Sequence, residues 1–379
     1  MPQLPPHIRT QPESGIRLIT ERAWSTPGAI VLSVGEPQFP LAEHVTAAGM
    51  DAWRRDDTNY TANSGIPELK AAIERALAEQ FAVRVERDRV MVTAGAVQAM
   101  HLAMSMTLAT GDEILIPDPG YTIFEMGPHL VQAKPVRYRL RPEHDFLPEI
   151  SELESLITPR SRALLVNSPS NPLGQVIPEN LMRDLYAFAS RHDLWLISDE
   201  CYGAFTFGVE HVSPLRFDTE HRVFAAYSTS KTYGMTGIRV GWLVCPPGLS
   251  STLNAVQESV VSCINTPAQW AAVAALSGPQ DYVEHARDSY RESARAASEY
   301  LRERGFRFLT PRGAFYLWLD VSHLSGGDVS AWTLHALDEW GIGLAPGSAF
   351  GPHGEGWVRI SLAGNRLELL EALSRIPAP

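Results

Sequence analysis

The sequence predicts an α/β fold: a doubly wound, mostly parallel sheet with helices on both faces, joined to a smaller α+β lobe. Three observations carry that reading. Short apolar runs alternate with helix-length segments through the middle of the chain, several of those runs stop abruptly in polar turns, and after Pro267 the pattern changes to long helices with a few strands. The 379 residues, 45% apolar and 20% charged, suffice for a sizeable core and more than one lobe.

In chain order, the first segment sets Ile16, Leu18 and Ile19 among charges, as in a short amphipathic helix. It has no continuous apolar stretch of the kind a signal peptide or membrane span needs. Seven strand-like runs follow: RVMVT (89–93), EILIP (113–117), PVRYRL (135–140), RALLV (162–166), LWLIS (194–198), RVFAAY (222–227) and VGWLV (240–244). Helical patterns lie between several of them, for example after Gly95 and after Pro178. The C-terminal part reads as a long helix (281–305), a strand in GAFYLWLD (313–320), a helix near VSAWTLHALDEW, a strand WVRIS (357–361) and a last helix, RLELLEALSRI. This predicts a large domain at 40–280 and a small domain made of 1–39 together with 281–379.

Charge and cysteine usage exclude several function classes. With 32 Lys and Arg against 43 Asp and Glu, the net charge is −11, so the average surface repels phosphate backbones and anionic membranes. Neither nucleic acid nor membrane is expected as a partner. Cys201, Cys245 and Cys263 lie far apart with no paired spacing. No disulfide framework or metal site is expected, and a reducing cytoplasm is the simplest setting.

Chemistry is expected beyond the carboxyl ends of the strands, where open α/β sheets bind ligands. Lys231 follows the sixth run within YSTSKTYGMTGIRVGW, among the hydroxyls of Ser228, Ser230 and Thr232, with Arg239 eight residues on. Such a group can hold a phosphate while leaving an amine free for covalent work. The fifth run leads straight into Asp199 and Glu200, and a carboxylate buried at a strand end needs a partner. The fourth ends in NSPSNPLG, with Asn167 and Asn171 around two prolines. The first passes through Thr93-Ala94-Gly95-Ala96 into a helix, so backbone amides and a helix N-terminus face the space above the sheet as an anion site in waiting, although its spacing is neither GxGxxG nor that of a P-loop. Tyr121, after the second run, either stacks on a flat ring or fills the core. Each feature alone has an ordinary reading as a solvated lysine, a helix cap, a turn or packing. Several polar strand ends on one sheet point to a shared ligand crevice.

The set SVGEPQF, NYTANSGIPELK, VTAGAVQA, PDPGY, NSPSNPLG, SDECYGAF, STSKTYGMTGIRVGW, GAFYLWLD and WVRIS resembles the fold-type I, pyridoxal-phosphate-dependent class I/II aminotransferases, in the family's order, from about residue 15 to the end. The resemblance implies a fold-type I transferase with a seven-stranded sheet in its large domain. It implies pyridoxal 5′-phosphate as cofactor, amino acid and 2-oxo acid substrates, and a homodimer with shared active sites. Lys231 would form the Schiff base with the cofactor and shuttle the proton at the substrate Cα, and Asp199 would keep the pyridine nitrogen protonated. Asn171 and Tyr202 would hydrogen-bond the ring's phenolic oxygen, and Tyr121 would stack on its face. The phosphate would rest on the Ala96 and Val97 amides, Ser228, Ser230 and Arg239, with Tyr60 reaching over from the other subunit. Arg359 would take the substrate α-carboxylate bidentately, helped by Gly35 and Asn171. Gln38 stands where an acidic residue is common and Lys70 where arginine is frequent. Neither touches the cofactor chemistry.

The same cofactor and fold also serve a C–S β-lyase, a racemase-like enzyme, or an amino acid oxidase or hydroxylase. More remote is a non-catalytic pyridoxal-phosphate sensor, which carries a DNA-binding module that neither the acidic balance nor the early start of the pattern favours. The substrate side chain is not specified by any motif; Ile16, Arg17, Gln38 and the loop Ser262–Asn265 are the expected gatekeepers.

Overall fold

The computed structural model describes residues 2–379. Its centre is a seven-stranded sheet built from β1 (Val90–Thr93), β2 (Glu113–Asp118), β3 (Lys134–Arg139), β4 (Ser161–Asn167), β5 (Trp195–Asp199), β6 (Val223–Ser228) and β7 (Gly241–Val244). The spatial order is β1-β7-β6-β5-β4-β2-β3. All pairs are parallel except those of β7, which runs antiparallel to both neighbours. All seven strand-like runs therefore lie in one mixed, mostly parallel sheet, as expected.

The period-2 geometry of a strand explains why the inner runs are continuously apolar, while the edge strand β3 leaves Lys134, Arg137 and Arg139 exposed. In β4, Ala163 and Leu165 pack on one face while Leu164 and Val166 pack on the other; in β6, Phe224 and Ala226 oppose Val223 and Ala225. With both faces covered by helices, no polar position is left to alternate. One face is covered by helix Ala96–Thr107, through Met100, Ala103 and Met104, and by Leu253 of helix Ser250–Val260. The other is covered by helices Pro67–Phe81 and Glu179–Arg191, through Leu69, Ile73, Leu77, Met182 and Leu185.

The C-terminal part carries a second, antiparallel sheet: β8 (Phe308–Leu309), β9 (Tyr316–Asp320), β10 (Ala345–Pro346) and β11 (Trp357–Ser361), in the order β10-β11-β9-β8. The long helix spans Asp281–Glu303, and the expected helices Val329–Trp340 and Arg366–Arg375 are present. The N-terminal segment joins this part. Helix Gly15–Trp24 buries Ile19 and Ala23 against Leu337, and Ile30–Val31 pairs in parallel with Ile342–Gly343. Among the described residues no helix is long and apolar enough to cross a membrane.

Candidate active site

A cavity of about 440 Å³ opens beyond the carboxyl ends of the parallel strands, between the sheet and the C-terminal part. Its walls include Gly35, Ala96, Val97, Tyr121, Asn171, Asp199, Tyr202, Ser228, Ser230, Lys231, Arg239 and Arg359. These come from segments scattered over more than three hundred residues of sequence, and every residue expected to hold the cofactor or the substrate carboxylate converges here except Tyr60. Tyr60 is 91% exposed and does not line the cavity of its own chain.

Lys231 owes its position to a turn. Ser228 ends β6 and caps the short helix Thr229–Thr232, its Oγ accepting from the Ser230 amide at 3.0 Å, so the chain folds back before Lys231 can leave the crevice. The lysine Nζ donates to the carbonyl of Gly35 at 2.6 Å. Burial lowers its pKa to about 8; the nearby Arg359 and Arg239 guanidinium groups act in the same direction, while Cys201 and Glu36 oppose them.

Asp199, the last residue of β5, accepts the Cys201 amide at 3.2 Å. Burial pushes its carboxyl above the usual carboxylate range. Its sequence neighbour points the other way: Glu200 is buried and fully met by His211, Ser213 and Tyr227 at 2.8, 2.8 and 2.9 Å. The pair that looked alike in sequence thus divides into a cavity carboxylate and a satisfied core carboxylate. Tyr202 shares a 2.7 Å hydrogen bond with the Tyr316 hydroxyl, and burial holds its own phenol well above the ordinary range, so it stays a protonated donor.

At one end of the cavity the Ser228 hydroxyl donates to Ser230 Oγ at 2.9 Å, and Arg239 Nη1 approaches the same Ser230 Oγ at 3.4 Å. The N-terminus of helix Ala96–Thr107 faces them, with no side chain capping its amides. Gly95 precedes it at φ +81°, where a Cβ would overlap the Arg239 guanidinium. At the other end Arg359, only 2% exposed, lies in β11 between β9 and β10. It donates from Nη1 to Asn171 Oδ1 at 2.9 Å and from Nη2 to the Ser33 carbonyl, and its guanidinium stands 4.4 Å from the Tyr316 ring centre. Asn171 is held in turn by its own amide donating to Asn167 Oδ1 at 2.8 Å.

Tyr316 is the residue that the sequence did not single out. It touches Tyr202 and Arg359, and its hydroxyl occupies the space a Cβ at Gly35 would need, which is why residue 35 is glycine. It was legible only as an apolar position in GAFYLWLD. Cys201 and Ser33 are further unforeseen wall residues. Of the expected gatekeepers, Ile16 and Arg17 line the cavity. Gln38 does not, and Cys263, Ile264 and Asn265 border a different, apolar cleft.

The electrostatics are unbalanced in a specific way. Among the described residues neither Lys231, Arg239 nor Arg359 lies within 4.0 Å of any carboxylate, whereas most other arginines do. Beside Arg17, which is paired with Glu21, and the exposed Glu36, which accepts from Thr236, three cations and a buried carboxylate without ion-pair partners share one cavity. A buried charge without a partner is expensive, so the arrangement suits a ligand with two anionic ends and a cationic centre.

A two-lobed α/β fold with a lysine at a strand end and an anion cradle at a helix N-terminus defines the class of fold-type I transferases. Within that class the chain belongs to the class I and II aminotransferases, whose family pattern it matches over residues 27–376. It is 33% identical to an aspartate aminotransferase of Pyrococcus horikoshii over 96% of this chain and 93% of that one. It is 32% identical to aromatic-amino-acid aminotransferase 2 of Thermococcus litoralis over 96% and 94%. A single mutant of the Thermus thermophilus aspartate aminotransferase superposes with a TM-score of 0.93 at 30% identity, over 99% of both chains. The protein is a transaminase of this family.

Proposed function

We propose that the chain binds pyridoxal 5′-phosphate and moves an amino group from an L-amino acid to a 2-oxo acid in a ping-pong cycle. The observation that carries the reading is the set of charges without an ion-pair partner in one cavity, Lys231, Arg239 and Arg359 against the buried Asp199, with the exposed Glu36 at the rim accepting from Thr236. The cofactor's chemistry fits it. A phosphate suits Arg239, the serine hydroxyls and the Ala96 and Val97 amides, a protonated ring nitrogen suits Asp199, and a phenolate oxygen suits the Tyr202 and Asn171 donors. A cation against Asp199 would reverse the upward push that burial exerts on its carboxyl. Tyr121 supplies an aromatic wall for the ring.

When bound, pyridoxal phosphate supplies an aldehyde that condenses with amines and a protonated ring that withdraws electrons from the attached carbon. The chain's own residues do the rest. Lys231, with its pKa lowered to about 8, is the amine of the cavity and the group placed to take and return the proton at the substrate Cα. Arg359 binds the substrate α-carboxylate, with Asn171 fixing one edge of its guanidinium and Tyr316 one face.

The same reading places residues 40–280 in the large domain, 1–39 with 281–379 in the small one, and the protein in the cytoplasm with its three cysteines unpaired. It also includes a homodimer. An apolar cleft walled by Val45, Met50, Trp53, Ala94, Ile264 and Pro267 shares Arg239 with the phosphate end of the cavity. Trp53 is 58% exposed there, so a second copy seated on this face would cover the cleft and bring the partner subunit's Tyr60 to the phosphate. A screen of amino donors against 2-oxoglutarate, pyruvate and aromatic oxo acids tests the function. Formation of the matching amino acid from at least one acceptor supports it, and no amino acid from any pairing overturns it.

A further inference from the structure

The substrate arginine and the ring-stacking tyrosine belong to different parts of the chain, and one buried contact ties those parts together. Asp118 ends β2, three residues before Tyr121, and its side chain is 0% exposed. His353 lies in the turn Pro352–Gly354 that follows Phe350. The imidazole Nδ1 stands 2.8 Å from Asp118 Oδ2, and the His353 backbone amide donates to Oδ1 at 3.2 Å. Both carboxylate oxygens are therefore engaged by one residue from the other side. Beside them the Gly120 amide donates to the Phe350 carbonyl at 2.8 Å, and Gly351 sits at φ +127° where a Cβ would overlap Asp118 Oδ1. The loops are fitted to each other at backbone level. Phe350 in turn stands 5.0 Å from the Arg359 guanidinium and packs edge-on against Trp318.

The charged surroundings continue into the large domain. Arg137 on β3 approaches Asp118 Oδ2 at 4.0 Å and pairs with Glu125 at 3.0 Å, and His129 lies 3.8 Å from the other Glu125 oxygen. Burial pushes the Asp118 carboxyl up, and the His353 hydrogen bonds and Arg137 pull it back. For stability alone an apolar pair would serve as well, because desolvating a carboxylate offsets most of what its partner returns. An apolar pair would also leave the loops free to slide, whereas two hydrogen bonds to one carboxylate fix distance and direction.

We propose that Asp118 and His353 are a positioning pair that holds the Phe350 floor beneath Arg359 in register with the loop carrying Tyr121. The proposal rests on the reading of Arg359 as the site of the substrate carboxylate. The pair touches neither substrate nor cofactor and acts through the two loops.

The test uses the holoenzyme and two carboxylates that have no amine to react, succinate and 3-phenylpropionate, with Kd read from the change in the visible band. His353→Ala should weaken both by about tenfold, the scale of one lost hydrogen bond to a charged group, and raise KM for the amino donor similarly while kcat changes by less than about threefold. His353→Asn, whose side-chain amide falls near the position of Nδ1, should recover Kd to within about threefold of the parent, with His353→Gln in between. Circular dichroism and cofactor content establish that each variant is folded. If Kd in His353→Ala stays within about twofold, or if the Asn and Gln variants are both as weak as Ala, the pair has no positioning role. Arg359→Lys separates the two levels: if it binds both carboxylates as tightly as the parent, the assignment of Arg359 has failed, whereas weakened binding there with none in His353→Ala sinks the positioning pair alone.

Discussion

An amine must be neutral to attack an aldehyde, so the pH at which apoenzyme captures pyridoxal phosphate reports the environment of Lys231. With the pKa lowered to about 8, roughly one lysine in ten is neutral at pH 7, against about one in three thousand at the ordinary value of 10.5. The difference is a factor of about 300 in reactive amine, from a shift whose largest cause is burial. The direction follows from the sign of the shift: burial penalises the ammonium, so the neutral form gains as pH rises and is nearly complete above 9. The capture rate should therefore rise through pH 7, reach half its maximum near 8 and flatten beyond. Stopped-flow absorbance measures it, and dividing by the rate for Nα-acetyl-lysine, itself first corrected for the neutral fraction of that free amine, cancels the ionisations of the cofactor. Borohydride trapping and a peptide map should place the modification on Lys231. A rate that keeps climbing tenfold per pH unit past 9.5, or a map with Lys231 unmodified, would refute the account of this lysine.

Three further outcomes follow from the same geometry. Asp199→Ala should keep bound cofactor, seen as retained visible absorbance, yet lose about 10² to 10⁴-fold in kcat, while Asp199→Glu keeps part of the activity because the charge survives; full activity in the alanine variant would mean another group protonates the ring. Arg359→Lys removes the fork that reaches Asn171 and Ser33 together, and the loss of about 1.5 to 3 kcal/mol should lower kcat/KM for α-amino acids by roughly 10 to 150-fold. Trp53→Glu puts a charge in the apolar cleft beside the phosphate end and should convert the proposed dimer to monomer in sedimentation, with loss of activity; a fully active monomer would contradict shared sites.

Much of the fold and of the candidate site is legible in the amino-acid sequence for physical reasons. The inner strands declared themselves because a strand covered on both faces has no polar positions, so β4 and β6 read as unbroken apolar runs, whereas the edge strand β3 carries exposed Arg137 and Arg139. Lys231, Asp199 and Asn171 were legible because each follows such a run and ends it in polar chemistry. The direction of β7 was not, since a connection of a dozen residues from Ser228 to Gly241 serves a hairpin-like return as well as a crossover. Nor was Tyr316, whose partner Tyr202 lies 114 positions away and whose strand reads as core. The pairing of Asp118 with His353 spans 235 positions, with one member in a turn that has no motif. The division between Asp199 and Glu200 depends on which way each side chain turns at the strand end, which adjacent carboxylates in a sequence do not reveal.

The central claim is that nitrogen leaves one substrate and reaches another by way of the protein. A single-turnover experiment with the holoenzyme and a ¹⁵N-labelled amino donor tests it. With donor alone, one equivalent of 2-oxo acid per active site should form while the label stays with the protein and no ammonia appears; adding an acceptor oxo acid should then release the label as the new amino acid. Sustained release of labelled ammonia with no acceptor present would contradict transamination and assign the cavity to elimination or oxidation instead.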